Sequence, residues 1–127
     1  MNKKIIINTK NAPPAIGTYS QGIIYDNLIF TSGQIPINPK TNKVISEKFE
    51  NQIDQVLYNL EQVLKAAGSG KKNIIKLTVY LTDLSNFEKL NSAFKLFFID
   101  GFPSRSVVEV SALPKNVQVE IEAICVK

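Results

Sequence analysis

Between Ser46 and Ala67 the apolar residues Phe49, Ile53, Val56, Leu57, Leu60, Val63 and Leu64 recur at steps of three and four. That spacing puts all seven on one stripe of an α-helix and leaves polar residues around the rest. Glu47 and Glu50 in the first turns and Lys65 in the last suit the helix dipole, and Gly68 supplies the stop. A long helix with one apolar face must bury that face, so it serves as scaffold and the other elements are organised around it.

Strands supply the surface it needs. Residues 4–8, 23–26 and 28–32 are short β-branched or alternating runs, the last two joined by a tight turn at Asp26-Asn27. Between the first two lies NAPPAIGTYSQG, where Pro13, Pro14, Gly17 and Gly22 forbid regular structure. That loop is either a site wall carrying Tyr19 and Gln21 or a surface loop whose tyrosine packs its ring and wets its hydroxyl. Residues 73–81 alternate, with Ile75, Leu77, Val79 and Leu81 on one face and Ile74, Lys76, Thr78 and Tyr80 on the other. A second helix opens on a capping box, Ser85 with Glu88, and its stripe is Phe87, Leu90, Phe94, Phe97 and Phe98. Asn91 falls inside that stripe and needs a hydrogen-bond partner, from the backbone or from a ligand.

Two more strands follow, about 105–110 and 117–126, joined by SALPKN. The order β, ββ, α, β, α, ββ predicts one α+β domain over residues 1–127, a mixed six-stranded sheet with two helices on one face. The other face is half polar at Lys76, Thr78 and Tyr80, which points to burial against a second copy of the chain.

Composition narrows the chemistry. The 127 residues include no histidine and one cysteine, Cys125, so the usual zinc ligand sets and Ser-His-Asp or Cys-His systems are unavailable. Acid–base work falls to a carboxylate, a tyrosine, a lysine or water. No apolar run approaches 18 residues and the N-terminus has only three consecutive isoleucines, so a cytoplasmic location without membrane contact is expected. The net charge of +4 invites nucleic acid as a partner, but the lysines are scattered from Lys3 to Lys127, which argues against it.

Arg105 is the only arginine, against 14 lysines. Its planar fork fits a carboxylate with two parallel hydrogen bonds, which lysine cannot imitate. Arg105, Val107 and Glu109 alternate with Ser106, Val108 and Val110, while Gln118, Glu120 and Glu122 alternate with Val117, Val119 and Ile121. If the two strands pair as a hairpin, one parity of register sets Arg105 and Glu120 on a common face and the other separates them. A turn centred on Leu113-Pro114 has the joining parity, with Arg105 opposite Glu122 and diagonal to Glu120. Otherwise these are solvated charges, and any surface salt bridge between them is worth about 0–1 kcal/mol.

FPSRSVVEV together with VQVEIEAI resembles the C-terminal signature of the RidA family (also called YjgF or UK114) of enamine/imine deaminases. NAPPAIGTYSQG, FTSGQIPINPKT and KLTVYLTDLSNFEKLNSAF extend the resemblance over essentially the whole chain. It implies a chorismate-mutase-like fold and a homotrimer with ligand clefts between subunits. The implied reaction is hydrolysis of 2-aminoacrylate-type intermediates, 2-iminobutanoate and 2-iminopropanoate, to 2-oxo acids and ammonia. Pyridoxal-phosphate-dependent threonine and serine dehydratases release such enamines; no cofactor or metal is implied for this chain itself.

In that picture Arg105 grips the substrate carboxylate, Glu120 activates water or moves protons, and Tyr19 donates or orients through its hydroxyl. Ser32, Gly33 and Asn91 line the same cleft. Val107 stands where many relatives carry cysteine: if that position serves mainly through its backbone, deaminase activity survives the change, whereas thiol-based regulation at that site does not. The loop between Phe98 and Pro103 is shorter than in bacterial relatives. Two other functions stay open on sequence alone: a non-catalytic small-carboxylate binder or regulator, and an RNA-acting protein, since some animal members are described as ribonucleases or translation inhibitors.

Overall fold

In the computed structural model, which describes residues 3–127, the helical stripe forms α1, Phe49–Ala66, and all seven of its apolar residues are buried. The helix starts three residues later than its polar flank suggests, so Glu47 lies before it. Gly68 takes φ +80°. Its N–H and that of Ser69 donate to the carbonyls of Lys65 and Leu64, both at 3.0 Å, closing the helix end.

The remaining elements are β1 (Lys4–Ile7), β2 (Gly22–Tyr25), β3 (Leu28–Thr31), β4 (Ile37–Asn38), β5 (Lys43–Val44), β6 (Ile74–Leu81), α2 (Phe87–Phe97), β7 (Ser104–Glu109) and β8 (Val119–Val126). Six strands form one mixed sheet in the order β1-β2-β3-β8-β6-β7, parallel only between β6 and β7. The small β4–β5 ladder lies in the segment between β3 and α1. Asn59, fully buried on α1, anchors it by donating to the carbonyls of Ile35 and Ile37 at 3.1 and 2.9 Å.

Both helices pack on one face. Val119, Ile121, Ala123 and Cys125 of β8 join Leu77, Val79 and Leu81 of β6, the α1 stripe, and Leu90, Phe94 and Phe98 in a single core. The opposite face is bare of helices. One row across it runs Ile6, Ile23, Phe30, Ile124, and Ile6 and Phe30 are 62% and 40% exposed. Among the described residues no helix is long and apolar enough to cross a membrane.

Three local expectations are corrected. A bulge between Ile74 and Lys76 interrupts the ladder with β8, so alternation breaks there. Ile74 turns into the core at 6% exposure and Ile75 turns out at 46%, the reverse of simple parity. The capping box does not form, because a 3-10 turn over Leu84–Asn86 precedes α2 and sets Ser85 before the helix proper. Asp83 caps that turn instead, its carboxylate accepting from the Ser85 N–H at 2.9 Å; a charged acceptor outcompetes a hydroxyl for this role.

The third correction bears on function. β7 and β8 do not pair. β6 lies between them, parallel to β7 and antiparallel to β8. The α2 crossover returns the chain parallel to β6 on one side, and the segment from Val110 to Gln118 carries it across to the other. A hairpin register between Arg105 and Glu120 therefore never arises.

Candidate active site

The register through β6 decides which way each functional side chain points. Arg105 pairs with Leu77, which pairs with Ala123, so all three look toward the helices. Val108 pairs with Tyr80 and Tyr80 with Glu120, so these look toward the bare face. Within one chain Arg105 and Glu120 are on opposite faces of the sheet. The predicted site residues accordingly fall into two groups.

The first group surrounds Arg105. Its guanidinium donates from Nη2 to Oδ1 of Asn91 at 2.7 Å. The same group lies 5.3 Å from the ring centres of both Phe87 and Phe94. Phe87, Asn91 and Phe94 share one side of α2 because they are four and three residues apart. The amide that seemed out of place in an apolar stripe is thus the orienting acceptor of the arginine. Aromatic faces hold the cation without neutralising it, and the guanidinium donors other than the one given to Asn91 remain for a ligand. A cavity of about 340 Å3 opens beside it, walled by Glu88, Phe94, Lys95, Phe102 and Pro103. Sequence reading missed the two phenylalanines and the Phe102-Pro103 wall; the spacing of Phe87 and Phe94 around Asn91 was the available signal. Val107 pairs with Val79 and packs half-buried against the core, so its side chain is structural.

The second group surrounds Glu120. Tyr19, Ser32, Gly33 and Glu120 line one cavity with Ile16, Ile35 and Lys115. A Cβ built on Gly33 would collide with the Glu120 carboxylate, its carboxyl carbon being only 2.7 Å away. Glycine here is a requirement for close approach. The Glu120 carboxylate accepts no hydrogen bond among the described residues. Burial raises its pKa above the ordinary carboxylate value, and the charge of Glu122 pushes the same way. Glu122 is itself held by the hydroxyl of Tyr80, which donates to its Oε1 at 3.1 Å.

The loop that carries Tyr19 is rigidly tied. Gln21 is buried, accepts from the Thr9 N–H at 2.7 Å, and donates to the carbonyls of Thr9, Ala12 and Pro13. It staples the loop, and it also lines a small cavity with Tyr19 and Gly33. Ser32 ties the other side, its hydroxyl donating to the Ser20 carbonyl at 2.5 Å. Tyr19 is half-exposed and its oxygen accepts the Ile16 N–H at 3.2 Å, which leaves its own proton free to donate. Among the described residues no three or more His, Cys, Asp or Glu side chains are grouped to hold a metal ion.

A cradled arginine on one face and a carboxylate of raised pKa beside glycine on the other are carried by one α+β sheet bare of helices on one side, an arrangement suited to small-molecule chemistry. The chain belongs to the RidA family: the family model described as Endoribonuclease L-PSP matches residues 9–127. It is 47% identical over 124 residues to the 2-iminobutanoate/2-iminopropanoate deaminase of Escherichia coli, covering 95% of this chain and 96% of that one. A Rid-family protein of unknown function from Yersinia pestis has the same fold, with TM-score 0.96, 46% identity, and coverage of 98% and 100%. The structure of E. coli TdcF with bound serine superposes with TM-score 0.93 at 43% identity, covering 97% and 98%.

Proposed function

We propose that the protein is a hydrolytic deaminase of small 2-imino acids, 2-iminobutanoate and 2-iminopropanoate, working as a homotrimer. In this reading Arg105 of one subunit and Glu120 of a neighbour face the same intersubunit cleft. The observation that carries it is the division of the site: two half-sites on opposite faces of one sheet, each open, each lacking what the other has. The bare face, apolar along the row Ile6, Ile23, Phe30 and Ile124, supplies surface for the assembly that would join them. The identity to the E. coli deaminase supports the reaction class.

The chemistry follows from the residues. Arg105, oriented by Asn91, takes the substrate carboxylate with two parallel hydrogen bonds and fixes the imine carbon. Glu120 removes a proton from water as the water oxygen bonds to that carbon, and the C=N electron pair passes to nitrogen. The protonated Glu120 then gives its proton to the amine nitrogen of the tetrahedral intermediate. Glu120 next carries the hydroxyl proton to the same nitrogen, the C–N bond breaks with its electron pair leaving on ammonia, and the oxygen left on carbon closes the C=O of the 2-oxo acid. A raised pKa suits a group that must both take and return a proton near neutral pH. Tyr19 steadies the developing charge with its free O–H.

The test is a coupled assay. Added to a threonine dehydratase reaction, the protein accelerates the conversion of 2-iminobutanoate to 2-oxobutanoate, and Arg105→Lys removes most of the effect. An unchanged rate with wild-type protein overturns the reading. Glu120→Gln separates catalysis from simple binding: turnover is lost while affinity for a small carboxylate stays.

A further inference from the structure

Four charged residues, Glu61, Lys71, Lys72 and Asp100, line a cavity of about 430 Å3 that belongs to neither half-site. It lies between the outer side of α1, the 3-10 turn Lys71–Asn73, the start of β6 and the segment that follows α2. The buried part of its apolar lining is Ile74 and Phe98, both 6% exposed. The Phe98 ring is braced edge-on by Phe94 and Phe97 at 5.5 and 4.9 Å, so this floor is preformed. Ile99 and Phe102 stand on the rim, largely exposed.

The charges are two of each sign, and among the described residues none of the four is in an ion pair. Opposite charges around one cavity that do not reach each other leave space for a molecule carrying both signs. Lys71 is held in place over the Phe97 ring, 4.7 Å from its centre. The volume falls in the range of small-molecule pockets, about 300–1,000 Å3, and the mix of apolar floor and few charged groups is what such pockets show.

We propose that this cavity is an accessory binding site for the zwitterion of an apolar α-amino acid. The carboxylate lies toward Lys71 and Lys72, the ammonium toward Glu61 and Asp100, and the side chain on Ile74 and Phe98. The site is independent of the deaminase reading. It is a neighbour of the Arg105 cavity, since Phe102 and Pro103 wall both.

The test uses uniformly 15N-labelled full-length protein titrated with L-leucine. Saturable shifts of the Gly70 and Gly101 amides are expected. They persist in Arg105→Lys and weaken at least about tenfold in the Lys71→Ala/Lys72→Ala double variant, as loss of charged hydrogen bonds implies. Lys72 is exposed and Lys71 half-buried, and the spectrum itself reports whether the variant is folded. 4-Methylpentanoate and 3-methylbutylamine, which carry one charge each, bind at least about tenfold more weakly than leucine. No saturable shift at Gly70 and Gly101 overturns the proposal. So does binding lost in Arg105→Lys and kept in the double lysine variant, which locates leucine in the Arg105 cavity. Equal affinity for leucine and 4-methylpentanoate removes the acidic half of the site and the zwitterion with it.

Discussion

The carboxylate of Glu120 occupies the space where a side chain on Gly33 would begin. One residue is defined by its chemistry and the other by having none, and the cavity they share exists only because the glycine yields the room.

Gly33→Ala therefore displaces Glu120 rather than merely filling a void. The Cβ meets the carboxyl carbon at 2.7 Å, so the glutamate must swing to another rotamer. Deaminase kcat/KM is expected to fall about a hundredfold, the cost of misplacing a reacting group by roughly 1 Å. Thermal melting of the same variant checks that the loss is local.

Glu122→Gln moves the pH profile. Burial and the Glu122 charge both raise the Glu120 pKa, burial being the larger cause. With Glu120 needed as the ionised base, the acid limb of kcat/KM lies above the ordinary glutamate range. Removing the Glu122 charge shifts that limb to lower pH, and it stays above the ordinary value because burial remains. A limb that shifts upward, or not at all, shows that Glu120 does not set it.

Glu120→Gln has the opposite sign for stability. A carboxyl with a raised folded pKa binds more protons folded than unfolded between the two values, so stability falls as pH rises through that window. Replacing it with the neutral amide removes this penalty. The variant melts higher than wild type above the window and differs less below it, as melting curves across pH will show.

Asn91→Ala tests the arginine cradle. Losing a charge-assisted hydrogen bond of 2.7 Å costs about 1.5–3 kcal/mol where the group is not resolvated. Because Arg105 both binds the carboxylate and fixes the imine carbon, that appears as kcat/KM lowered about tenfold or more.

The bulge in β6 gives a sharp stability contrast. Ile74→Ala empties a core position and is expected to cost about 2–5 kcal/mol. Ile75→Ala, on the exposed side, stays within about 0.5 kcal/mol unless assembly covers it. Denaturant unfolding of the two variants side by side decides which isoleucine faces the core.

Much of this molecule was legible as pattern. The α1 stripe, its glycine stop, the order of elements and the one-sided pair of helices all follow from periodicity, because a helix or a strand repeats its neighbours' environment at a fixed interval. The singularity of Arg105 and the anomaly of Asn91 were also visible, since each is a residue type out of keeping with its surroundings, and the two are hydrogen-bonded to each other. The resemblance carried by FPSRSVVEV and VQVEIEAI named the family, and the match over residues 9–127 bears it out.

Tertiary structure decided the rest. Whether Arg105 and Glu120 share a face depends on which strand lies between β7 and β8, and strand order is a long-range choice that no local period encodes. The insertion of β6 sends the two residues to opposite faces. The bulge at Ile74 and the 3-10 turn before α2 are likewise one-residue slips that periodicity cannot count. The sequence by itself singled out Arg105 and Glu120; only the packing of β6 between its neighbours determined that one chain holds them apart.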